Sequence, residues 1–174
     1  MNRIVPLIAF VLALSVSAKA QNINADIFKK NIEIVYDAAA NGFKDIKLDQ
    51  IGNSDNGNSK FGSARKVSGA SEVYILVDEE TTHTYFAIFQ GSDLDETKKK
   101  VDEMVALMRE VLAEHGLVHS NGTDINYEGY RKQTFQYDSD NIDLLGKYPS
   151  FGLGIMRGSE PPVLELTITE PLWK

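Results

Sequence analysis

The sequence predicts an α+β fold: two αβββ-like halves joined into one antiparallel sheet of about six strands, with two helices on one face. Three observations carry this. Two segments have apolar residues at helical spacing. Four or more segments are rich in β-branched and aromatic residues, in hairpin-like pairs. The order helix, strand, loop, hairpin occurs twice.

The first helix is expected from Ala25, capped by Asn24. Ile27, Asn31, Ile34, Val35 and Ala38 form its stripe, widened by Phe28, Ile32 and Ala39. Gly42 ends it. A short strand is expected near Phe43–Leu48. Gly52 to Gly62 offers almost nothing to bury and reads as a loop. Glu72–Val77 and Thr84–Phe89 read as a hairpin, with apolar residues on both faces, the pattern of central strands.

The second helix is the clearest element. Asp93 and Glu96 have the spacing of a capping pair. Val101, Met104, Val105, Met108, Val111 and Leu112 lie on one side, and Gly116 closes the helix. Thr123–Asp138 reads as one strand, with Gly129 as a bend or bulge. Asp138 to Gly146 reads as a loop. Strands are expected around Phe151–Ile155 and Leu164–Ile168, joined by the Pro161-Pro162 turn. The repeated order suggests halves of about 24–91 and 92–174 within one domain spanning 21–174.

The first twenty residues differ. Arg3 precedes an apolar run from Ile4 to Val16, and Ala18 and Ala20 stand at the two small-residue positions of a cleavage site before Gln21. This is the pattern of a signal peptide, 1–20. The run is short for a membrane-spanning helix. Export to a bacterial periplasm or the extracellular space is the expected address, with no membrane span after signal removal.

The composition narrows the chemistry. The chain has 174 residues, 43% hydrophobic and 25% charged, the balance of a globular protein. It has no cysteine. Thiol nucleophiles, thiolate metal sites and disulfides are thereby excluded. Eighteen Lys and Arg face 25 Asp and Glu, a net charge of -7. Phosphate backbones need clustered cations, so nucleic acid is not an expected partner.

No catalytic motif is complete in the sequence. His115 and His119 have helical metal-chelating spacing, but Gly116 breaks the helix between them, so both read as surface residues. His83 falls in a hairpin turn, where an exposed side chain is expected. The Asp138–Asp143 cluster misses the register of a calcium loop. No Gly-rich phosphate loop and no nucleophile elbow occurs. No cofactor and no metal is expected.

What remains is a surface. Tyr127, Tyr130, Tyr137, Tyr148 and Trp173 cluster in the C-terminal part among polar neighbours. Tyrosines on an open sheet face suit contact with a partner. Gly152 and Gly154 share a parity and leave one side of their strand bare, as for a closely packed helix or a groove that holds a ligand. The expected function is an exported soluble binding module with a protein or cell-envelope partner and no catalysis. Tyr127, Tyr130, Tyr137, Gly152 and Gly154 are its candidate binding residues. The alternative is a small secreted ligand-binding protein or hydrolase with a pocket between helices and sheet.

Overall fold

A computed structural model describes residues 22–79, 81–127, 130–156 and 158–172; for 123–127 and 142 it describes the backbone alone. The proposed cleavage residues Ala18, Ala20 and Gln21 lie outside the described residues, as do Gly129 and Trp173.

The chain begins with helix α1, Ala25–Ala39. The Asn24 side chain accepts from the Ile27 amide, which caps it as the sequence suggests. The buried stripe is Phe28, Ile32, Val35, Ala38 and Ala39. It is rotated from the expected one, because Ile27 is 54% exposed. Asn31 sits at the stripe's margin, where its side-chain oxygen accepts from the Ser68 amide.

Four strands follow: β1 (Lys47–Asn53), β2 (Ser59–Ser63), β3 (Glu72–Val77) and β4 (His83–Gln90). Helix α2, Leu94–Leu112, comes next. The Asp93 carboxylate accepts from the Glu96 amide, and the Glu96 carboxylate in turn accepts from the Ser92 hydroxyl. A 3-10 turn, Ala113–His115, extends the helix to Gly116, whose φ of 75° is left-handed. That conformation favours glycine. Then come β5 (Leu117–Tyr127), β6 (Tyr130–Tyr137), the one-turn helix α3 (Ile142–Leu145), β7 (Ser150–Ile155) and β8 (Val163–Thr169).

Among the described residues, eight strands form one antiparallel sheet in the order β1-β2-β3-β4-β8-β7-β6-β5. The order is symmetric about the β4–β8 pair. Each side contributes one long helix and four strands in sequence order.

The α+β class, the single antiparallel sheet and the two long helices match the expectation. The strand number is higher for two reasons. Residues 52–62, read as a loop, contain the end of β1, a tight turn and most of β2. Residues 123–138, read as one strand, are divided between β5 and β6. The first strand also starts later than expected, at Lys47, because Phe43 (φ 60°) and Gly42 (φ 70°) make a left-handed turn after α1.

One face of the sheet packs against both long helices. Phe61, Ile75, Tyr85, Ile168, Phe151 and Phe135 are neighbours in register across β2, β3, β4, β8, β7 and β6. All but Phe61 are buried. Val101, Met104, Val105, Met108 and Leu112 of α2 join the same core as the α1 stripe. Fully burying each such side chain is worth about 1.5–3 kcal/mol. Among the described residues, no helix is long and apolar enough to cross a membrane.

Candidate functional site

Strand alternation sends every second side chain to the opposite face, away from the helices. In register across seven strands, that face reads Ser120, Thr134, Gly152, Thr167, Phe86, Tyr74 and Gly62. The row changes character at the β8–β4 seam. It is hydroxyl and glycine on the β5–β8 side and aromatic on the β4–β3 side.

At the aromatic end the Tyr74 and Phe86 rings stack at 5.0 Å and 11°. The Lys60 ammonium stands 3.9 Å from the centre of the Tyr74 ring and pairs with Glu72 at 2.7 Å. Burial, then the charges of Glu165 and Glu72, push the Tyr74 phenol up to about 12. It therefore stays neutral as a donor at ordinary pH. Gly62 leaves room above β2, and Leu48 and Ile51 of β1 fill it. Both remain exposed, at 54% and 59%. The edge strand thus presents two large apolar side chains beside the aromatic pair.

At the polar end the Lys132 side chain lies over Gly152. The Thr167 hydroxyl donates to the Gly152 carbonyl at 3.2 Å. The Thr134 hydroxyl donates to the Ser120 carbonyl at 3.2 Å and lies 2.8 Å from the Ser120 hydroxyl. Glu165 faces the same side. Burial raises its carboxyl above the ordinary range, and the Lys132 charge offsets part of that. A cavity of about 290 Å³ opens here, lined among others by Lys132, Thr134, Gly152, Thr167 and Thr169.

The sequence-derived residues are only partly brought together. Gly152 and Gly154 do lie on the open face, opposite Thr167 and Glu165. A lysine, not a helix, covers Gly152, so the closely packed helix is corrected. Tyr130 is not on the open face: its hydroxyl donates to Asp102 of α2 at 3.3 Å, and its ring packs against the core. Burial and Asp102 push its phenol up to about 12. Tyr137 shares the helix-side parity of Phe135 and stacks on Tyr148 at 4.1 Å. Tyr127 pairs with Tyr130 in the backbone register, and its side chain lies outside the described residues.

The histidines are not free surface groups. His83 begins β4, with its side chain only 15% exposed. Its Nδ1 lies 2.8 Å from a Glu170 carboxylate oxygen, and its Nε2 lies 3.0 Å from the Lys47 ammonium. The ammonium can only donate, so Nε2 accepts and Nδ1–H donates. His115 stacks on Tyr36 at 3.9 Å and bonds Glu33 at 2.9 Å, tying the 3-10 turn to α1. His119 bridges Arg109 of α2 and Gln133 of β6. Among the described residues no three His, Asp or Glu side chains converge as a metal site.

Sequence reasoning missed Tyr74, Phe86, Lys60 and Lys132. The first two were readable: the strand pattern put aromatic residues on both faces of a sheet roofed on one. Lys132 carried no signal, because only the fold lays it over Gly152. No protein-family model, curated protein or solved structure matches this chain.

Proposed function

We propose that this protein is an exported, non-catalytic binding module that docks another protein on the aromatic half of its open face. The observation that carries this reading is the pair of exposed side chains, Leu48 and Ile51, beside the half-buried Tyr74–Phe86 stack on the face away from the helices. Large exposed apolar side chains gathered on one face mark contact surfaces more often than scattered ones do. The patch also reaches an edge strand. Among the described residues β1 has one strand neighbour, β2, which leaves its other edge open to an added strand. Stacked aromatic rings supply contact area at small entropic cost. The partner expected here is an extended protein segment with apolar side chains on one side.

The test is site-specific photo-crosslinking in the producing cell. A photoreactive residue at Ile51 should give a discrete adduct, and one at exposed Glu103 on α2 should not. Phe86→Ala should abolish the Ile51 adduct while leaving the fold intact by circular dichroism. Equal adducts at both positions, or an Ile51 adduct indifferent to Phe86→Ala, would overturn the reading. An adduct of twice the chain mass would identify a second copy as the occupant and overturn the distinct-partner reading.

A further inference from the structure

The cavity at the polar end of the open face does not stand alone. A second cavity of about 270 Å³ is lined by Gln136, Leu145, Gly146, Tyr148, Ser150, Thr169, Glu170 and Leu172. Gln136, Ser150 and Thr169 also line the first cavity of about 290 Å³. The two are therefore adjoining chambers of one cleft. It runs from the sheet surface around the ends of β7 and β8 to the α3 segment. Each chamber alone is near the lower limit for a ligand pocket, about 300 Å³, and a chain that spans both uses the space of each.

The chambers differ in chemistry. The first holds the Lys132 ammonium, which forms no ion pair within 4 Å among the described residues and feels Glu165 of the same face only at longer range. The Thr134 and Thr167 hydroxyl protons are already given to carbonyls. Ser150 is exposed and sits at the junction. The donors that remain include the Lys132 ammonium, the Ser150 hydroxyl and the Gln136 amide, which suit an oxyanion. The second chamber presents Leu145, Tyr148 and Leu172, with Leu172 62% exposed. Among the described residues its one charged wall residue is Glu170, whose carboxylate accepts from the His83 amide and faces the His83 ring. An anionic head would be attracted by Lys132, the one cation among the described lining residues of the two chambers. The cleft therefore has a direction.

We infer that this cleft is a binding site for a small anionic amphiphile, a medium-chain carboxylate, with its head at Lys132 and its chain along Leu145, Tyr148 and Leu172. The site is separate from the aromatic patch on β1–β4 and does not depend on a protein partner. Gly152 is what makes the head site possible, because a side chain there would occupy the space of the lysine.

The experiment is titration of the purified protein with octanoate, 1-octanol and acetate, followed by amide chemical shifts. Octanoate should bind about tenfold more tightly than either control, since head and chain each contribute on the order of one decade or more. Shifts should centre on 132–136, 145–152 and 167–172. Lys132→Gln should lower octanoate affinity about tenfold, to the level of octanol. Leu172→Ser, at an exposed position that the fold tolerates, should weaken octanoate and octanol and leave acetate unchanged. No binding at millimolar octanoate would overturn the inference. So would octanoate and octanol binding alike, or shifts centred elsewhere. The Ile51 adduct should survive Lys132→Gln, so failure here leaves the docking surface standing, and the reverse holds.

Discussion

The Lys132 side chain lies flat across Gly152, its terminal methylene and ammonium where a β-carbon on the glycine would stand. The Thr167 hydroxyl is 2.7 Å from that same point. Gly152→Ala must therefore move the lysine. The neighbours are mostly the far end of a flexible chain, so the crowding cost should fall below the roughly 1–3 kcal/mol typical of overpacking. A less flexible unfolded state returns about 0.4–1 kcal/mol. Urea denaturation should show a net change within about 1 kcal/mol. The Lys132 resonances should shift strongly. A loss above about 3 kcal/mol would show that the strand, not the lysine, has to yield.

Gly91 is the opposite case. A β-carbon there would meet the Thr97 hydroxyl of α2 and, at 2.8 Å, the Pro162 carbonyl. Both are fixed. The Gly91 amide donates to that carbonyl at 2.9 Å, and the Thr97 hydroxyl donates to the Asp93 carbonyl at 2.6 Å. Thr97 is 1% exposed. Gly91→Ala should destabilise by about 2–3 kcal/mol, because backbone cannot rotate aside as a lysine can. Adding Thr97→Ala should relieve the hydroxyl clash and leave the carbonyl clash. The double variant should therefore be less unstable than the sum of the singles, which a double-mutant cycle in urea measures.

These two glycines show where the sequence was legible. The helices could be read because α2 pairs a capped start with a strict apolar stripe, and the β3–β4 and β7–β8 hairpins because their runs alternate around turn residues. β1 and β2 could not, because the β1–β2 ribbon has no fully buried position and so no alternation to detect. The open face was legible as an expectation of something bare, but two of the tyrosines expected on it, Tyr130 and Tyr137, contact the helix side or its margin instead. Tyr137 shares the helix-side parity of Phe135, and Tyr130, of the other parity at the start of β6, reaches Asp102 of α2 with its hydroxyl. The Lys132–Gly152 contact joins two strands and has no linear signature.

Glu165 gives a pH-dependent prediction. Its folded carboxyl is raised by burial, with Lys132 only partly offsetting. A raised carboxyl stabilises the fold fully below its unfolded value, about 4.3. That contribution is lost as pH rises through the folded value. Glu165→Gln should therefore raise Tm at pH 7, where the wild-type carboxylate is charged and half-buried. The gain should vanish near pH 4, where both side chains are neutral. A gain independent of pH would assign the effect to packing, and a lower Tm at pH 7 would show that the attraction to Lys132 outweighs burial.

Glu170 should be the costliest carboxylate to remove. Its side chain is 3% exposed, and one oxygen accepts from the His83 amide at 2.7 Å and from the His83 ring at 2.8 Å. Glu170→Ala leaves both donors buried without that acceptor, at a cost of about 3 kcal/mol. Glu170→Gln keeps an acceptor oxygen and should cost roughly half as much, the difference between charged and neutral hydrogen bonds. The ring also accepts from Lys47, the first residue of the edge strand β1. When the ring loses its orienting carboxylate, that tether should loosen. Hydrogen exchange should then show protection falling at 47–53 beyond the global loss, while the β7–β8 pair follows global stability alone. Uniform loss across the sheet would mean that Lys47 holds β1 without help from His83.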